Sequence, residues 1–153
     1  MTFPYYKQET THTCGPASLR MVLEHFGIKK SETEIAKFTK SKPHQGTWFK
    51  DFYKLVKKLK LNHISGSSSI PEIRKLIESG YQIIVCYIDT KDKSHGFPMD
   101  HYSVVRKIDR KYIYFFDPWY GPNHRYSINH FRKTWKSRDR PDKVDRWFIA
   151  IKN

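Results

Sequence analysis

Four residues of this chain, Gln8, Cys14, His101 and Asp117, have the types that an acyl-transfer reaction needs. A cysteine thiolate attacks a carbonyl carbon when a neighbouring base takes the thiol proton and a third group orients that base. A histidine supplies the base, and an aspartate accepts its second imidazole N–H. A glutamine amide can donate to the oxyanion that develops on the attacked carbonyl. We therefore predict nucleophilic catalysis by Cys14, provided that the surrounding elements bring these residues together.

The residues after Cys14 predict a helix that begins at the cysteine. Pro16 suits a first helical turn, where its missing N–H needs no partner, and Gly27 is typical of a position just past a helix end. Apolar residues recur between them at helical spacing: Leu19, Val22, Leu23 and Phe26. Because the positive end of a helix dipole favours a thiolate over a thiol, this position suits a nucleophile.

His101 and Asp117 flank a predicted β-hairpin. His101 begins a strand that runs to Ile108, a second strand spans residues 111–116, and Asp109-Arg110 forms the tight turn between them. Positions equidistant from a hairpin turn lie opposite each other, and 101 and 117 are close to symmetric about this one. We expect the Asp117 carboxylate to accept an imidazole N–H and to hold the His101 ring towards Cys14.

Each candidate also has a simpler interpretation. A lone cysteine is most often a small, inert core residue, which is how we interpret Cys86 inside the apolar run 83–88. The chain has eight histidines, so that one near an aspartate is unremarkable. Asp117 opens an Asp-Pro-x-x-Gly turn, and Gln8 near the terminus is by itself an ordinary solvated side chain. The order of the four residues and their places on predicted elements, rather than any single residue, indicate a site.

The remaining pattern predicts an α+β fold, with N-terminal helices packed on a C-terminal antiparallel sheet in two layers. Ser31 and Glu34 form a capping-box pattern for a second helix, and Thr47 is the expected N-cap of a third. A fourth helix lies between Pro71 and Gly80. Further predicted elements are a short strand at 61–65, strands at 82–88 and 147–151, a short helix capped by Ser127, and loops at 90–98, 117–122 and 136–146. At 153 residues we expect one domain over residues 1–153.

The net charge of +14 is high for this length. A basic surface attracts nucleic acid, anionic membranes or acidic protein substrates without selecting among them. We interpret it first as a solvated surface, because no nucleic-acid fold signature accompanies the charge.

Composition also bounds the cellular setting. We find no apolar run long enough to span a bilayer and no signal peptide. Two cysteines of different predicted roles argue against a disulfide framework and favour the reducing cytoplasm, with export by another route left open. No Cys or His pair has the spacing of a structural zinc site, so we expect neither a metal nor a cofactor.

With these residues in hand, the chain resembles the papain-like cysteine peptidases of the bacteriocin-processing type. These domains trim double-glycine leader peptides, and they have stand-alone relatives. The shared pattern is Gln8, then Cys14-Gly-Pro opening a helix, then His101 starting an apolar strand, then Asp117-Pro followed by Gly121. The likeness extends to Gly46-Thr47 before the third helix and to the Phe131…Trp135 helix before the last strand.

The resemblance implies a papain-like fold in which Cys14 is the nucleophile, His101 the base, Asp117 the orienting residue and Gln8 the oxyanion donor. Transporter-borne members continue into membrane spans and an ATPase, which this sequence does not contain, so we expect a stand-alone relative. The loops at 90–100 and 136–146 are expected to flank the cleft.

Three functions from different classes stay open at this point. The first is a cysteine peptidase that hydrolyses a bond in a peptide or protein, with acidic substrates suiting the basic surface. The second is an acyltransferase or amidase that uses the same triad. The third is a non-catalytic basic module that binds nucleic acid or an acidic partner. The substrate and the oligomeric state do not follow from the sequence.

Overall fold

The computed structural model describes residues 2–92 and 98–153. Within these ranges, five helices, α1 to α5, span Cys14–His25, Glu32–Phe38, Phe49–Lys58, Ile70–Glu78 and Ile128–Thr134. Six strands, β1 to β6, span Asn62–Ser67, Gln82–Asp89, Met99–Ile108, Tyr112–Asp117, Gly121–Ser127 and Trp147–Lys152. The strands form one sheet in the order β1-β6-β2-β3-β4-β5, and all neighbours are antiparallel. The predicted α+β class is confirmed.

Apolar cores lie on both faces of the sheet. Ile84 and Cys86 of β2 pack with α1 and α3, whereas the alternate residues Ile83 and Val85 pack with α4 and α5. Successive side chains of a strand point to opposite faces, so the sheet lies between two helical layers. The prediction of two layers was therefore wrong. A strand that is apolar at every position is typical of a sheet covered on both sides.

Local capping signals were informative for α2 and for α5, where Ser127 Oγ accepts from the His130 N–H as predicted, and misleading for α3. In α2, Ser31 Oγ accepts from the Glu34 backbone N–H at 3.0 Å, and Glu34 Oε1 accepts from the Ser31 N–H at 3.2 Å, as the capping box predicts. For α3, the prediction of Thr47 as N-cap was wrong. The N-cap is Trp48, and the Phe49 N–H donates instead to Asp142 Oδ2 at 2.9 Å.

The strands at the two edges of the sheet differ most from the prediction. β1 spans Asn62–Ser67 and so runs two residues beyond the predicted strand at 61–65. β5 was missed altogether, because Gly121-Pro-Asn-His-Arg lacks the alternation of apolar residues that marks a strand. It is an edge strand that pairs only with β4, where polar residues are tolerated.

The two loops expected beside a cleft are partly described. Residues 135–146 contain neither helix nor strand, as predicted, whereas residues 93–97 of the predicted loop at 90–98 lie outside the described ranges. No helix in the described part of the chain has both the length and the apolar character needed to cross a membrane.

Candidate active site

Cys14 is the first residue of α1, as the sequence predicts, and only 8% of its surface is exposed. The helix start packs tightly against Thr47: a Cβ atom on Gly15 would lie 2.7 Å from Thr47 Oγ1, closer than real Cβ atoms come. Glycine is thus required directly after the cysteine, because a larger residue would clash with Thr47. In the first turn of α1 the backbone N–H groups of Cys14 and Gly15 have no intrahelical partner.

His101 contacts Asp117 and lines the same cleft as Cys14. Its Nε2 is 2.9 Å from Asp117 Oδ1 and 3.0 Å from Oδ2. The Cys14 thiol is near enough to the imidazole to contribute to the raised pKa of His101. Because Nε2 is occupied by the carboxylate, Nδ1 is the ring nitrogen left for the sulfur. The structure therefore brings together Cys14, His101 and Asp117, as the sequence analysis expected.

The hairpin geometry that led to this expectation was only partly right. Val104 lies opposite Phe116, and a bulge between Val105 and Lys107 changes the register of the two strands by one residue. His101 is consequently not directly opposite Asp117. The contact still forms because His101 and Ser103 lie on the same face of β3, and both reach the carboxylate.

Asp117 is completely buried and accepts hydrogen bonds from four groups besides His101. The Tyr87 hydroxyl and Ser103 Oγ donate to Oδ2 at 2.6 and 3.0 Å. The backbone N–H groups of Trp119 and Tyr120 donate to Oδ1 at 2.8 and 2.9 Å. A buried carboxylate is stable only when its oxygens are so paired, and these donors fix the carboxylate in the plane that His101 needs.

Sequence reasoning missed Tyr87 and Ser103. Tyr87 lies opposite His101 in the β2–β3 register, and Ser103 is two residues from His101 on the same strand. Burial, together with the nearby Asp117 charge, raises the pKa of the Tyr87 hydroxyl well above its ordinary value, so it remains a donor. The only signal in the sequence is the i+2 spacing of Ser103, and nothing local indicates Tyr87.

Burial and charge act in opposite directions on the His101–Asp117 pair. Burial by itself lowers the pKa of His101, but the Asp117 charge and its hydrogen bonds, with a further contribution from Cys14, outweigh burial and raise that pKa well above 6.5. For Asp117 the directions are reversed: burial by itself raises the pKa, but the His101 charge and the donors around the carboxylate lower it overall. The pair therefore favours an imidazolium beside a carboxylate at neutral pH.

This pair makes the stability of the protein depend on pH. A raised His101 pKa stabilises the fold fully below the unfolded value of 6.5, and this contribution is lost as pH rises through the folded pKa. The lowered pKa of Asp117 stabilises the fold above about pH 3.8, and this contribution is lost as the pH falls through the folded pKa. We expect the free energy of unfolding of the wild type, relative to His101→Gln, to be larger at about pH 5.5 than at about pH 9. Urea titrations at both values measure it, and an unchanged difference would contradict the assignment of a raised pKa.

Gln8 is also buried, with 7% of its surface exposed, and lies beside the cysteine in the same cleft. Its backbone N–H donates to the Pro118 carbonyl at 2.8 Å, which ties it to the loop after Asp117. Its side-chain Nε2 donates to the Thr10 carbonyl at 2.7 Å. An amide NH₂ carries two hydrogens, so one remains for a ligand in the cleft.

Both loops expected to flank the cleft contribute to its lining: Asp92 and Asp100 come from the loop at 90–100, and Arg138 and Arg140 from the loop at 136–146. Gly46 and Thr47 line a further part. Arg140 bridges to Asp100 at 3.2 Å and to the Thr47 carbonyl at 3.2 Å. The loop is thus attached to both sides of the cleft. In the described ranges, no three His, Cys, Asp or Glu side chains lie close enough to share a metal ion.

Replacing Asp117 by asparagine tests its orienting role. The amide oxygen can keep the two backbone donors, and the Tyr87 and Ser103 hydroxyls can rotate to accept from the amide nitrogen. The charge that holds the imidazolium is lost, so we expect a fall in kcat of about 100-fold or more with activity still measurable. Steady-state kinetics with circular dichroism as a folding control measure this. Wild-type kcat in a folded Asp117→Asn protein would show that the carboxylate does not orient His101.

Comparisons with known proteins agree with this architecture. A family model described as "Peptidase_C39 like family" matches residues 1–142. A comparison with curated proteins gives no match.

Solved structures show the same fold. The chain is similar to the peptidase domain of Streptococcus ComA, a bi-functional ABC transporter involved in quorum sensing, with 23% identity over 99% of this chain and 98% of that one, and a TM-score of 0.77. A double glycine motif protease from an AMS/PCAT transporter, in complex with the leader peptide, is 15% identical over 99% and 93%, with a TM-score of 0.72. The peptidase domain of Streptococcus mutans ComA is 20% identical over 97% and 98%, with a TM-score of 0.63. The predicted papain-like fold is confirmed.

Proposed function

The chain belongs to the peptidase C39-like family and is a cysteine peptidase, and we propose that Cys14, His101 and Asp117 form its catalytic triad. The observation that carries this assignment is the position of His101, whose imidazole is hydrogen-bonded to a buried carboxylate and lines the same cleft as Cys14. A nucleophile, its base and an orienting acceptor in this order are the parts that covalent catalysis requires. We also propose that residues 1–153 form a single domain, which contains this site.

The steps follow from these contacts. His101 Nδ1 takes the thiol proton, and the Cys14 sulfur attacks the peptide carbonyl to form a tetrahedral oxyanion. As this intermediate collapses, the C–N bond breaks and the imidazolium gives its proton to the leaving amine. Water, activated by the neutral imidazole, then hydrolyses the thioester and releases the acid. Asp117 stays ionised throughout and stabilises the imidazolium, which forms once during acylation and once during hydrolysis of the thioester.

Gln8 is the proposed side-chain donor to the oxyanion. It faces the cleft beside Cys14, and its second amide hydrogen is available when the first is held by the Thr10 carbonyl. The Cys14 backbone N–H, at the start of α1, supplies the second donor. Two such donors stabilise the charge that develops in the transition state more than they stabilise the ground state.

We propose that the substrate is a peptide or a peptide segment of a protein. The AMS/PCAT protease that shares this fold is seen with a leader peptide, which makes a peptide the natural class of ligand for the same cleft. The net charge of +14 favours substrate segments that carry acidic residues. A cytoplasmic site of action also belongs to this proposal.

A library of internally quenched peptides tests the proposed activity directly. Fluorescence that rises with the wild-type protein and not with Cys14→Ala supports a peptidase that uses this cysteine. Equal rates for the two proteins would overturn the assignment of Cys14 as nucleophile.

Gln8→Ala is expected to lower kcat by about 100- to 1,000-fold with little change in KM, because an oxyanion donor acts in the transition state. Gln82→Ala is the matched control, since Gln82 lies on β2 and its amide contacts His25. Steady-state kinetics on the best library peptide give both constants. A rise in KM alone would indicate that Gln8 binds substrate without stabilising the oxyanion.

A further inference from the structure

Glu32 is a buried carboxylate that the proposed mechanism does not use. It is the first residue of α2, and only 1% of its surface is exposed. Such a group is costly unless its oxygens accept hydrogen bonds. Oε2 accepts from the Glu9 backbone N–H at 2.7 Å and from Thr13 Oγ1 at 2.8 Å. Both donors belong to the short segment that joins Gln8 to Cys14.

Hydrogen bonds continue from this carboxylate to the Gln8 side chain. Thr13 Oγ1 is 2.7 Å from Thr10 Oγ1 and accepts from the Thr10 N–H at 3.2 Å. The Thr10 carbonyl in turn accepts from Gln8 Nε2 at 2.7 Å. A continuous set of contacts therefore runs from Glu32 through Thr13 and Thr10 to the Gln8 amide.

The segment between Gln8 and Cys14 has no regular secondary structure to hold it. Residues 9–12 form only bends and turns, and neither a helix nor a strand includes them. Its conformation depends on side-chain contacts, and the Glu32 carboxylate accepts hydrogen bonds from both of its ends, Glu9 and Thr13. An error of about 1 Å in the position of a group that acts on a transition state costs about 100-fold in rate.

We propose that Glu32 is a positioning residue that fixes the distance between the Gln8 amide and the Cys14 backbone N–H, and so assembles the oxyanion hole. This inference rests on the proposed function, because it assigns a role within the same site. Glu32 does not contact the substrate, and it acts through the 9–13 segment. Its effect should therefore appear only in reactions that develop an oxyanion.

Two small reagents separate oxyanion stabilisation from cysteine reactivity. p-Nitrophenyl acetate acylates the thiolate: the S–C bond forms through a tetrahedral oxyanion, the C–O bond breaks, and p-nitrophenolate leaves. Iodoacetamide alkylates the same sulfur by direct displacement of iodide and forms no oxyanion. A residue that positions the hole affects the first rate and leaves the second unchanged.

Glu32→Leu removes both acceptor contacts and keeps a similar volume. We expect its acylation by p-nitrophenyl acetate to slow by about 10- to 100-fold, while alkylation of Cys14 stays within about twofold of wild type. Glu32→Gln keeps an oxygen at the acceptor position and should recover most of the rate. Thr13→Val, which deletes one donor at constant shape, should give an intermediate loss and answers the question if Glu32→Leu does not fold.

A double-mutant cycle tests whether Glu32 acts through Gln8. In the Gln8→Ala background, Glu32→Leu should cause little further loss of acylation, because the donor that it positions is already absent. Glu34→Leu is the matched control in the same helix: it breaks the capping box with Ser31 without touching the 9–13 segment.

The outcomes distinguish this inference from the proposed function. A Cys14-dependent acylation that Gln8→Ala slows but Glu32→Leu does not would overturn the role of Glu32 alone. Equal losses for Glu34→Leu and Glu32→Leu, or additive losses in the double mutant, would do the same, since helix stability would then explain them. If the wild type shows no acylation beyond that of Cys14→Ala, the proposed function fails and this inference with it.

Discussion

The Cys14→Ala protein is expected to lose at least about 10⁴-fold in kcat, because the nucleophile is removed and water alone must attack the substrate. The fold should survive, since the change removes one sulfur atom at the start of α1 and leaves the backbone hydrogen bonds of the helix in place. Hydrolysis of p-nitrophenyl acetate and of the best library peptide measures the loss. Circular dichroism verifies the fold.

Cys86→Ala is the matched control for this experiment. Cys86 lies in the middle of β2 with 1% of its surface exposed, and burial raises the pKa of its thiol well above the ordinary range. It is therefore unreactive, as the sequence analysis expected of a core residue. We expect full activity with a loss of about 1 kcal/mol in the free energy of unfolding. Activity lost equally in the two variants, with both folded, would contradict the assignment of distinct roles.

His101→Ala should reduce kcat nearly as far as Cys14→Ala does, because it removes the base that takes the thiol proton and then protonates the leaving amine. Asp117 keeps four hydrogen-bond donors when the imidazole is removed, so the carboxylate remains satisfied and the fold is retained. Steady-state kinetics against the same substrates give the loss.

His63→Ala is the control for a histidine outside the site. His63 is exposed on β1, at the far edge of the sheet, where it stacks on Tyr53. We expect unchanged kinetics for this variant. A folded His101→Ala protein within tenfold of wild type would mean that a different group serves as the base.

Local sequence signals account for the parts of the site that were anticipated. The start of α1 follows from Cys14, Pro16 and Gly27, all close together in the chain, and the structure places the helix at Cys14–His25. The β3–β4 hairpin brings His101 near Asp117 because only residues 109–111 connect the two strands. Short-range patterns of this kind depend on few competing interactions and are therefore informative.

Contacts between distant segments could not be anticipated. Tyr87 donates to Asp117 from a strand 30 residues away in sequence, and Asp142 takes over the helix-capping role expected of Thr47 from 93 residues away. The β3 bulge changes the register by one residue, and no sequence pattern marks it. No sequence pattern marks Glu32, and only the three-dimensional structure shows that its carboxylate contacts the segment before Cys14.

The rate of alkylation of the two cysteines as a function of pH is the most direct test of the proposed triad. Iodoacetamide is added to the wild type and to His101→Ala, and peptide mass mapping follows Cys14 and Cys86 separately. The triad requires that Cys14 of the wild type be modified rapidly at about pH 5–6, much more slowly in His101→Ala, and that Cys86 stay unmodified in both. A Cys14 rate that rises only near pH 8.5, where an ordinary thiol ionises, and that is the same in both proteins would contradict the triad.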